Sequence, residues 1–439
     1  MIRRRVGFCS TVLRRVFLEA VYLNHKYTPP HNHKSTFEHR EVVDEYINKG
    51  LSLGRVAGPF LKPPFEHFKI SPLGVVPKSE PGKFRIIHDL SFPQNDSVNS
   101  NIPMEYSSVQ YDTIDTVVSL IERFGKGCLM AKSDIKDAFR IMPVSPSDYN
   151  LLGFSRDDQY YYERCLPMGT SSSCHIFEEL SKALQWCMLT NYKAAGMSHI
   201  LDDFFFIGPP ASDKCKNDIA SFLWLCKKIN IPINMDKTLP PTTKLIIYGI
   251  EVDSVKMESR LPEEKLAKLK SRLSEKVGRK KIKLKELQSL IGLLNFACGV
   301  VVPGRAFLRR LIDLTCGVVK PCHWIRLTVD ARADMRLWLD FLDNFNGKTV
   351  ISSQWTSSEV LNLQTDAAGA VGFAAVYGSE WFALCWPDHL VDYQITEFLP
   401  IVLALEVWSY NFQNKKVLFL SDNMAVVQVI NNNLARIKL

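Results

Sequence analysis

"SHILDDFFFIGPP", residues 198–210, sets two adjacent carboxylates, Asp202 and Asp203, between an apolar run and three phenylalanines. The flanking residues suit a strand buried in a sheet. An ionised carboxylate is costly to bury unless it is paired or bound to a metal. The stretch reads as a β-hairpin with Asp-Asp at the turn between "HIL" and "FFFIG". The hairpin explains the shape, and the charges call for partners elsewhere in the chain.

A third acid lies upstream in "AKSDIKDAFRIMPV", residues 131–144, where Asp134 ends an apolar strand and Asp137 follows. Two-metal phosphoryl chemistry needs carboxylates from different strands converging on ions about 3.5–4 Å apart. An aspartate ending one strand beside an Asp-Asp turn meets that need. The alternative is separate strand-end aspartates that cap turns, and each motif taken singly favours it.

The bulk properties agree with a large folded protein. A chain of 439 residues should form more than one domain, and a hydrophobic share of 46% is that of a globular chain. The net charge of +8 fits a polyanionic partner, and residues 263–285, "EEKLAKLKSRLSEKVGRKKIKLK", are dense in lysine and arginine. A solvated lysine-rich helix is the plainer account of that segment. Eleven cysteines without regular spacing do not form a disulfide framework. Cys316, Cys322 and His323 lie close in "CGVVKPCH", but no second ligand pair follows at zinc-like spacing. They read as core or surface thiols in a reducing, intracellular compartment. No charge-free apolar stretch reaches 18 residues, so no membrane span is expected. The basic start, "MIRRRVGFCSTVLRRVFLEAVYL", reads as an amphipathic helix rather than a targeting peptide, because arginines interrupt its apolar run.

Four regions follow. Residues 1–50 form an N-terminal arm with a histidine-rich turn, "HNHKSTFEH". Residues 51–260 are mixed α+β, closing with "LIIYGIEVDS" as a strand. Residues 261–348 are mainly helical. In 349–439, "EVLNLQTDAAGAVGFAAVYGSEWFALCW" makes three antiparallel strands, "ITEFLPIVLALEVWSYNF" a helix and "KKVLFLSD" a strand. That β-β-β-α-β order is a second α/β domain.

"SDIKDAF", "LPMGTSSSCHIF" and "ILDDFFFIG" resemble, in order, motifs A, B and C of reverse transcriptases; "NMDKT" and "YGIEVDS" resemble motifs D and E. "VVPKSEPGKFRIIHDLS" is similar to the fingers hairpin that precedes motif A. "GRVAGPF", "SPLGVVPK", "SVNSNIP" and "LPEEKL" look most like the DIRS-like (tyrosine-recombinase, Ngaro-type) retrotransposon polyprotein. The resemblance covers residues 51 to 439, and its specificity lies in the ordered set.

The resemblance implies that Asp134, Asp202 and Asp203 bind the catalytic metals. It implies that Lys78 and Arg85 hold the incoming triphosphate, a task for which a point charge and a guanidinium fork are suited. Phe139 matches the aromatic gate that excludes a 2′-hydroxyl, Gly169 matches a glycine that lets template or nucleotide approach closely, and Lys237 matches a proton donor to pyrophosphate. Plainer readings stand beside these: a solvated hairpin for Lys78 and Arg85, core packing for Phe139, a surface lysine for Lys237. The chain departs from the pattern at His199, where an aromatic is common, at Met168, where a polar residue is frequent, and at Cys174, where proline is usual.

In the C-terminal region, "LQTDAAGAVGFAAV", "ITEFLPIVLALEVW" and "FLSDNMAVV" place Asp366, Glu397 and Asp422 in an order that resembles RNase H. Glu397 alone would be a favourable charge in a first helical turn. Such sites generally add a fourth carboxylate, and residues 423–439 contain no Asp, Glu or His. The expectation is a helix through "MAVVQVINN" and poor or no cleavage of a hybrid by a domain incomplete at its C-terminus.

The fold expected is therefore α+β, a right-hand polymerase with fingers and palm over 51–260 and thumb and connection helices over 261–348, then a C-terminally truncated RNase H-like α/β domain. The implied activity is RNA-directed DNA synthesis with Mg²⁺, or Mn²⁺ in its place, on an RNA template, DNA primer and RNA–DNA hybrid with dNTPs as substrates. A catalytically silent nucleic-acid-binding remnant is the alternative.

Overall fold

The computed structural model describes residues 29–78, 82–344, 348–350, 355–368, 371–386, 397–412 and 416–432. The helix read over 1–23 lies outside them. The chain divides into two compact units, residues 1–113 with 129–242, and 114–128 with 243–439.

The first unit begins with α1 (Lys34–Glu38) and α2 (Arg40–Ser52). The histidine-rich stretch read as a turn is thus largely helical. "KSTFE" holds no Gly or Pro to break it, and the Thr36 hydroxyl and N–H both donate to the His33 carbonyl, at 2.7 and 2.9 Å. Strands β1 (Val56–Phe60), β2 (Leu73–Pro77) and β3 (Phe84–His88) follow. Helix α3 (Ile114–Phe124) belongs to the second unit. The first resumes with β4 (Leu129–Ile135), β5 (Gly153–Arg156), β6 (Gln159–Glu163), α4 (Ser173–Thr190), β7 (Gly196–Ile200), β8 (Asp203–Gly208), α5 (Lys214–Lys228) and β9 (Ile233–Thr242).

Its centre is a four-stranded antiparallel sheet, β7-β8-β4-β9. Side chains alternate across a strand, so the phenylalanine run of β8 splits between two faces. Phe204 and Phe206 pack on Phe222 of α5, with ring centroids 4.8 and 5.1 Å apart, and Phe205 points the other way. All three are fully buried, so both faces are covered. Each such ring contributes about 1.5–3 kcal/mol, enough to hold a polar turn at the strand's end. A second core joins α2, β1, β2, β5 and β6 through Val43, Ile47, Val56, Leu73, Phe154 and Tyr161. The fully buried carboxylate of Glu163 accepts from Arg140 at 2.7 Å and from the Tyr46 hydroxyl.

The second unit corrects one reading. "LIIYGIEVDS" is not one strand but a hairpin of β10 (Lys244–Ile247) and β11 (Ile250–Asp253). Its two-residue turn places Tyr248 at φ 50° and Gly249 at φ 79°. Two-residue hairpin turns of this kind need positive φ at both central residues. Strand-forming residues on both sides of "YG" hide the turn in the sequence. β12 (Glu258–Arg260), α6 (Glu263–Val277), β13 (Lys281–Lys283), α7 (Leu284–Ala297), α8 (Arg309–Asp313), β14 (Trp324–Arg326), α9 (Val329–Asn344) and β15 (Lys348–Val350) follow. The region is mainly helical as expected, with a small antiparallel β13–β14 pair added. Trp338 of α9 is fully buried against Gly304, where a Cβ would come within 2.2 Å of the indole.

The C-terminal segment has β16 (Trp355–Ser357), an antiparallel meander of β17 (Leu363–Ala368), β18 (Gly372–Tyr377) and β19 (Glu380–Cys385), then α10 (Phe398–Val407), β20 (Lys416–Leu418) and α11 (Met424–Asn432). The expected strand and helix order is present, and β20 pairs in parallel with β16. Trp408 and Ala404 pack on Leu363 and Ala375 in a modest core. Among the described residues the cysteines are free and no helix is long and apolar enough to cross a membrane.

Candidate active site

The ladder between β4 and β8 sets Asp134 directly opposite Asp203. Asp202 sits in the two-residue turn between β7 and β8, and its carbonyl accepts from the Ile135 N–H at 3.0 Å. The three acids thus lie at one end of one sheet, delivered by a strand end and a hairpin turn. The turn residue before them, Leu201, has φ 52°.

Lys237 of β9 reaches the same place: its Nζ lies 2.9 Å from Asp134 Oδ2. That hydrogen bond raises the ammonium's pKa above its ordinary value. Burial pushes Asp202 and Asp203 above the usual carboxylate value, with the charge of Asp134 adding to both. Among the described residues no three His, Cys, Asp or Glu side chains gather tightly enough to hold an ion as they stand. The donor set nonetheless fits Mg²⁺ or Mn²⁺. It is all oxygen, and cationic charge is already drawn to it: Lys237 pairs with Asp134, and the charge of Lys132 acts on Asp203.

The other expected residues have definite surroundings. Phe139 is half-buried, packed edge-on against Phe177 at 5.5 Å and shared between two apolar clusters. Gly169 is held by the protein itself, since a Cβ there would lie 1.8 Å from the His88 carbonyl oxygen. That close approach explains the glycine without any bound molecule. Lys78 and Arg85 are exposed near the turn end of the β2–β3 hairpin and make no ion pair among the described residues. Asp137, at φ 59°, pairs with Arg55 at 2.9 Å.

Asp366 is exposed in β17, and its Oδ1 accepts from the Ala367 N–H at 2.9 Å. Glu397 is the residue before α10, and Asp422 is exposed between β20 and α11. No tight three-acid group is found here either among the described residues.

Sequence reasoning missed Asn99, whose side chain donates to the Gly169 carbonyl at 2.8 Å and accepts from the Ser171 N–H at 2.9 Å. It fixes the 169–171 loop, and its only trace was its place in "SVNSNIP". Glu178 and Ser181 were also missed, because their partners lie on the backbone of the Asp202 turn.

Known structures share this fold. The foamy viral protease-reverse transcriptase solved in complex with double-stranded DNA aligns over 94% of this chain and 80% of its own, at TM-score 0.57 and 15% identity. The same enzyme with an RNA/DNA hybrid aligns over 97% of this chain and 59% of its own, at TM-score 0.54 and 13% identity. This is the fold of a reverse transcriptase. Among sequences, Protein P of duck hepatitis B virus (strain China) is 27% identical over 172 residues, and Protein P of heron hepatitis B virus 28% over 172. Each match covers 37% of this chain and 20% of the relative, so the chain spans about a fifth of the length of the curated relatives it matches. No family model matches the chain. With the reverse-transcriptase fold, the Asp134–Asp203 ladder and the Asp202 turn fall within one sheet of the first unit.

Proposed function

We propose that the chain is an RNA-directed DNA polymerase that extends a primer 3′-hydroxyl with dNTPs, and that it serves the replication of a DIRS-like retrotransposon. The observation that carries this reading is the opposition of Asp134 and Asp203 across β4 and β8, with Asp202 in the adjoining turn. The fingers and palm are assigned to 51–260, thumb and connection to 261–348, and an RNase H-like domain to 349–439.

Asp134, Asp202 and Asp203 would hold the divalent ions. When bound, two such ions supply charge stabilisation for in-line attack on the α-phosphate. The remaining work is positioning. Lys78 and Arg85 grip triphosphate oxygens, and Phe139 lies against the sugar. Lys237 keeps its proton at Nζ beside Asp134 and passes it toward the departing pyrophosphate. Asp366, Glu397 and Asp422 form the second ion site, for cleavage of RNA in the hybrid. RNA template, DNA primer and hybrid are the partners, and the density of lysine and arginine over residues 263–285 supports sequence-independent, salt-sensitive grip on phosphates.

Primer extension on poly(rA)/oligo(dT) with dTTP, with and without Mg²⁺, tests the reading. Mg²⁺-dependent extension is expected. Retained duplex binding with no extension in Mg²⁺ or Mn²⁺ would leave a silent binding protein.

A further inference from the structure

Leu201 holds φ 52°, a conformation that a branched L side chain rarely adopts, so its surroundings must hold it there. Its N–H donates to Glu178 Oε2 at 3.3 Å, and its carbonyl accepts from the Ser181 hydroxyl at 2.7 Å. Glu178 and Ser181 lie three residues apart on α4, one turn along the same face. Glu178 is 2% exposed, and its other oxygen, Oε1, lies 3.1 Å from His199 Nε2. A carboxylate only accepts, so Nε2 carries the hydrogen of that contact. His199 Nδ1 is buried with no partner among the described residues. The imidazole stacks on Phe204 at 5.4 Å, and the His199 N–H donates to Asp112 Oδ2 at 3.2 Å. Polymerase chemistry as proposed above uses neither Glu178 nor His199.

We propose that His199, Glu178 and Ser181 are positioning residues that hold the Leu201–Asp202 turn, and with it the Asp202 carboxylate, in place for ion binding. The proposal rests on Asp202 being an ion ligand. It explains why histidine stands where an aromatic side chain is usual: a buried Glu178 beneath the turn needs an N–H donor that phenylalanine lacks. Chemistry assigns the parts. His199 donates to one oxygen of Glu178, the other oxygen accepts from the turn, and Ser181 pins the turn's carbonyl.

The full chain is assayed for primer extension, for Mn²⁺ binding by electron paramagnetic resonance, and for its unfolding midpoint. His199→Phe keeps the ring and loses the donor; His199→Gln loses the ring and sets an amide N–H near the Nε2 position. His199→Phe should lower kcat about tenfold and weaken Mn²⁺ binding similarly, with KM for dTTP within about twofold, since a small misplacement of a reacting group can cost that much or more. His199→Gln should stay within about twofold of wild type. Ser181→Ala, which removes only a hydroxyl, should lower kcat and Mn²⁺ affinity about threefold without moving the unfolding midpoint, and it carries the test if His199→Phe does not fold. Wild-type ion binding in His199→Phe, or in Ser181→Ala if His199→Phe does not fold, would overturn the brace. So would a His199→Gln variant as impaired as His199→Phe, because the ring and not the donor would then matter. If wild-type protein binds Mn²⁺ but extends no primer, the polymerase reading fails while the brace is still judged by ion binding.

Discussion

The two sets of acids in this chain are built on different supports. Asp134 and Asp203 face each other across a ladder of mostly buried strands, and Asp202 sits in a turn whose backbone is pinned by Glu178, Ser181 and Ile135. Asp366 and Asp422 stand exposed, one on a meander strand and one after a three-residue strand. Burial raises the pKa of Asp202 and Asp203. Placing charge where water is scarce makes a site demand a cation, whereas solvated carboxylates can do without one. The comparison teaches where ion affinity should be concentrated.

The largest expected effect follows from the first site. Asp134→Asn or Asp202→Asn keeps the side-chain shape and removes the charge. Extension rates should fall by a factor on the order of 10³ or more, as is usual when an electrostatic catalytic group is lost, while duplex binding in a filter assay stays within about twofold. Wild-type extension in either variant would take the acids out of the mechanism.

The second site sharpens the contrast. Ions held by exposed ligands on less rigid supports bind more weakly. Cleavage of an end-labelled RNA–DNA hybrid should therefore need roughly tenfold more Mg²⁺ than primer extension, tuned by ligand rigidity. Asp366→Asn should remove the cleavage and spare extension. Equal Mg²⁺ requirements would break the comparison, and cleavage untouched by Asp366→Asn would move the site elsewhere.

Much of this was legible in the chain. The "ILDDFFFIG" hairpin, the strand ending at Asp134 and the C-terminal β-β-β-α-β order are written in local patterns, because alternation and turn chemistry act over a few residues. The "YG" turn was not, since strand formers flank it and only the positive φ of Tyr248 and Gly249 reveals it. Gly169 has a structural reason to be glycine that the local sequence does not show. Its need for glycine comes from His88, far away in sequence, and no local pattern encodes such a contact. The same limit hid Asn99 and Glu178, polar residues whose role is set by tertiary partners.

Phe139 tests a smaller difference, between packing and gating. Its ring lies edge-on to Phe177, so Phe139→Val loses packing worth about 1–2 kcal/mol and should lower the unfolding midpoint by a few degrees. If the ring also borders the sugar, the same variant should raise rNTP over dNTP incorporation about tenfold, since one steric contact discriminates by about that much. Destabilisation with unchanged sugar preference would assign the ring to the core alone.

The smallest expected effect is in stability against pH. Asp202 and Asp203 are raised by burial, above an ordinary carboxylate value of about 3.9. Between that value and the raised one, the folded state holds protons that the unfolded chain has released. The folded state's advantage is therefore fully present below about pH 4 and is lost as pH rises through the raised values. Lys237 does not reverse this near neutrality. Its raised pKa gives a contribution that is present throughout that range and fades only above about pH 10. Ion binding needs the acids deprotonated, so Mg²⁺ should stabilise more at pH 7.5 than at about pH 4. Without Mg²⁺, the unfolding midpoint of wild type should fall by about 1–2 °C more between about pH 4 and pH 7.5 than that of Asp203→Asn, in which one of the titrating groups is gone. Scanning calorimetry of both proteins at the two pH values, with and without Mg²⁺, decides it. An Mg²⁺ increment equal at both pH values, or an Asp203→Asn curve parallel to wild type, would mean that burial at this turn does not set its demand for a cation.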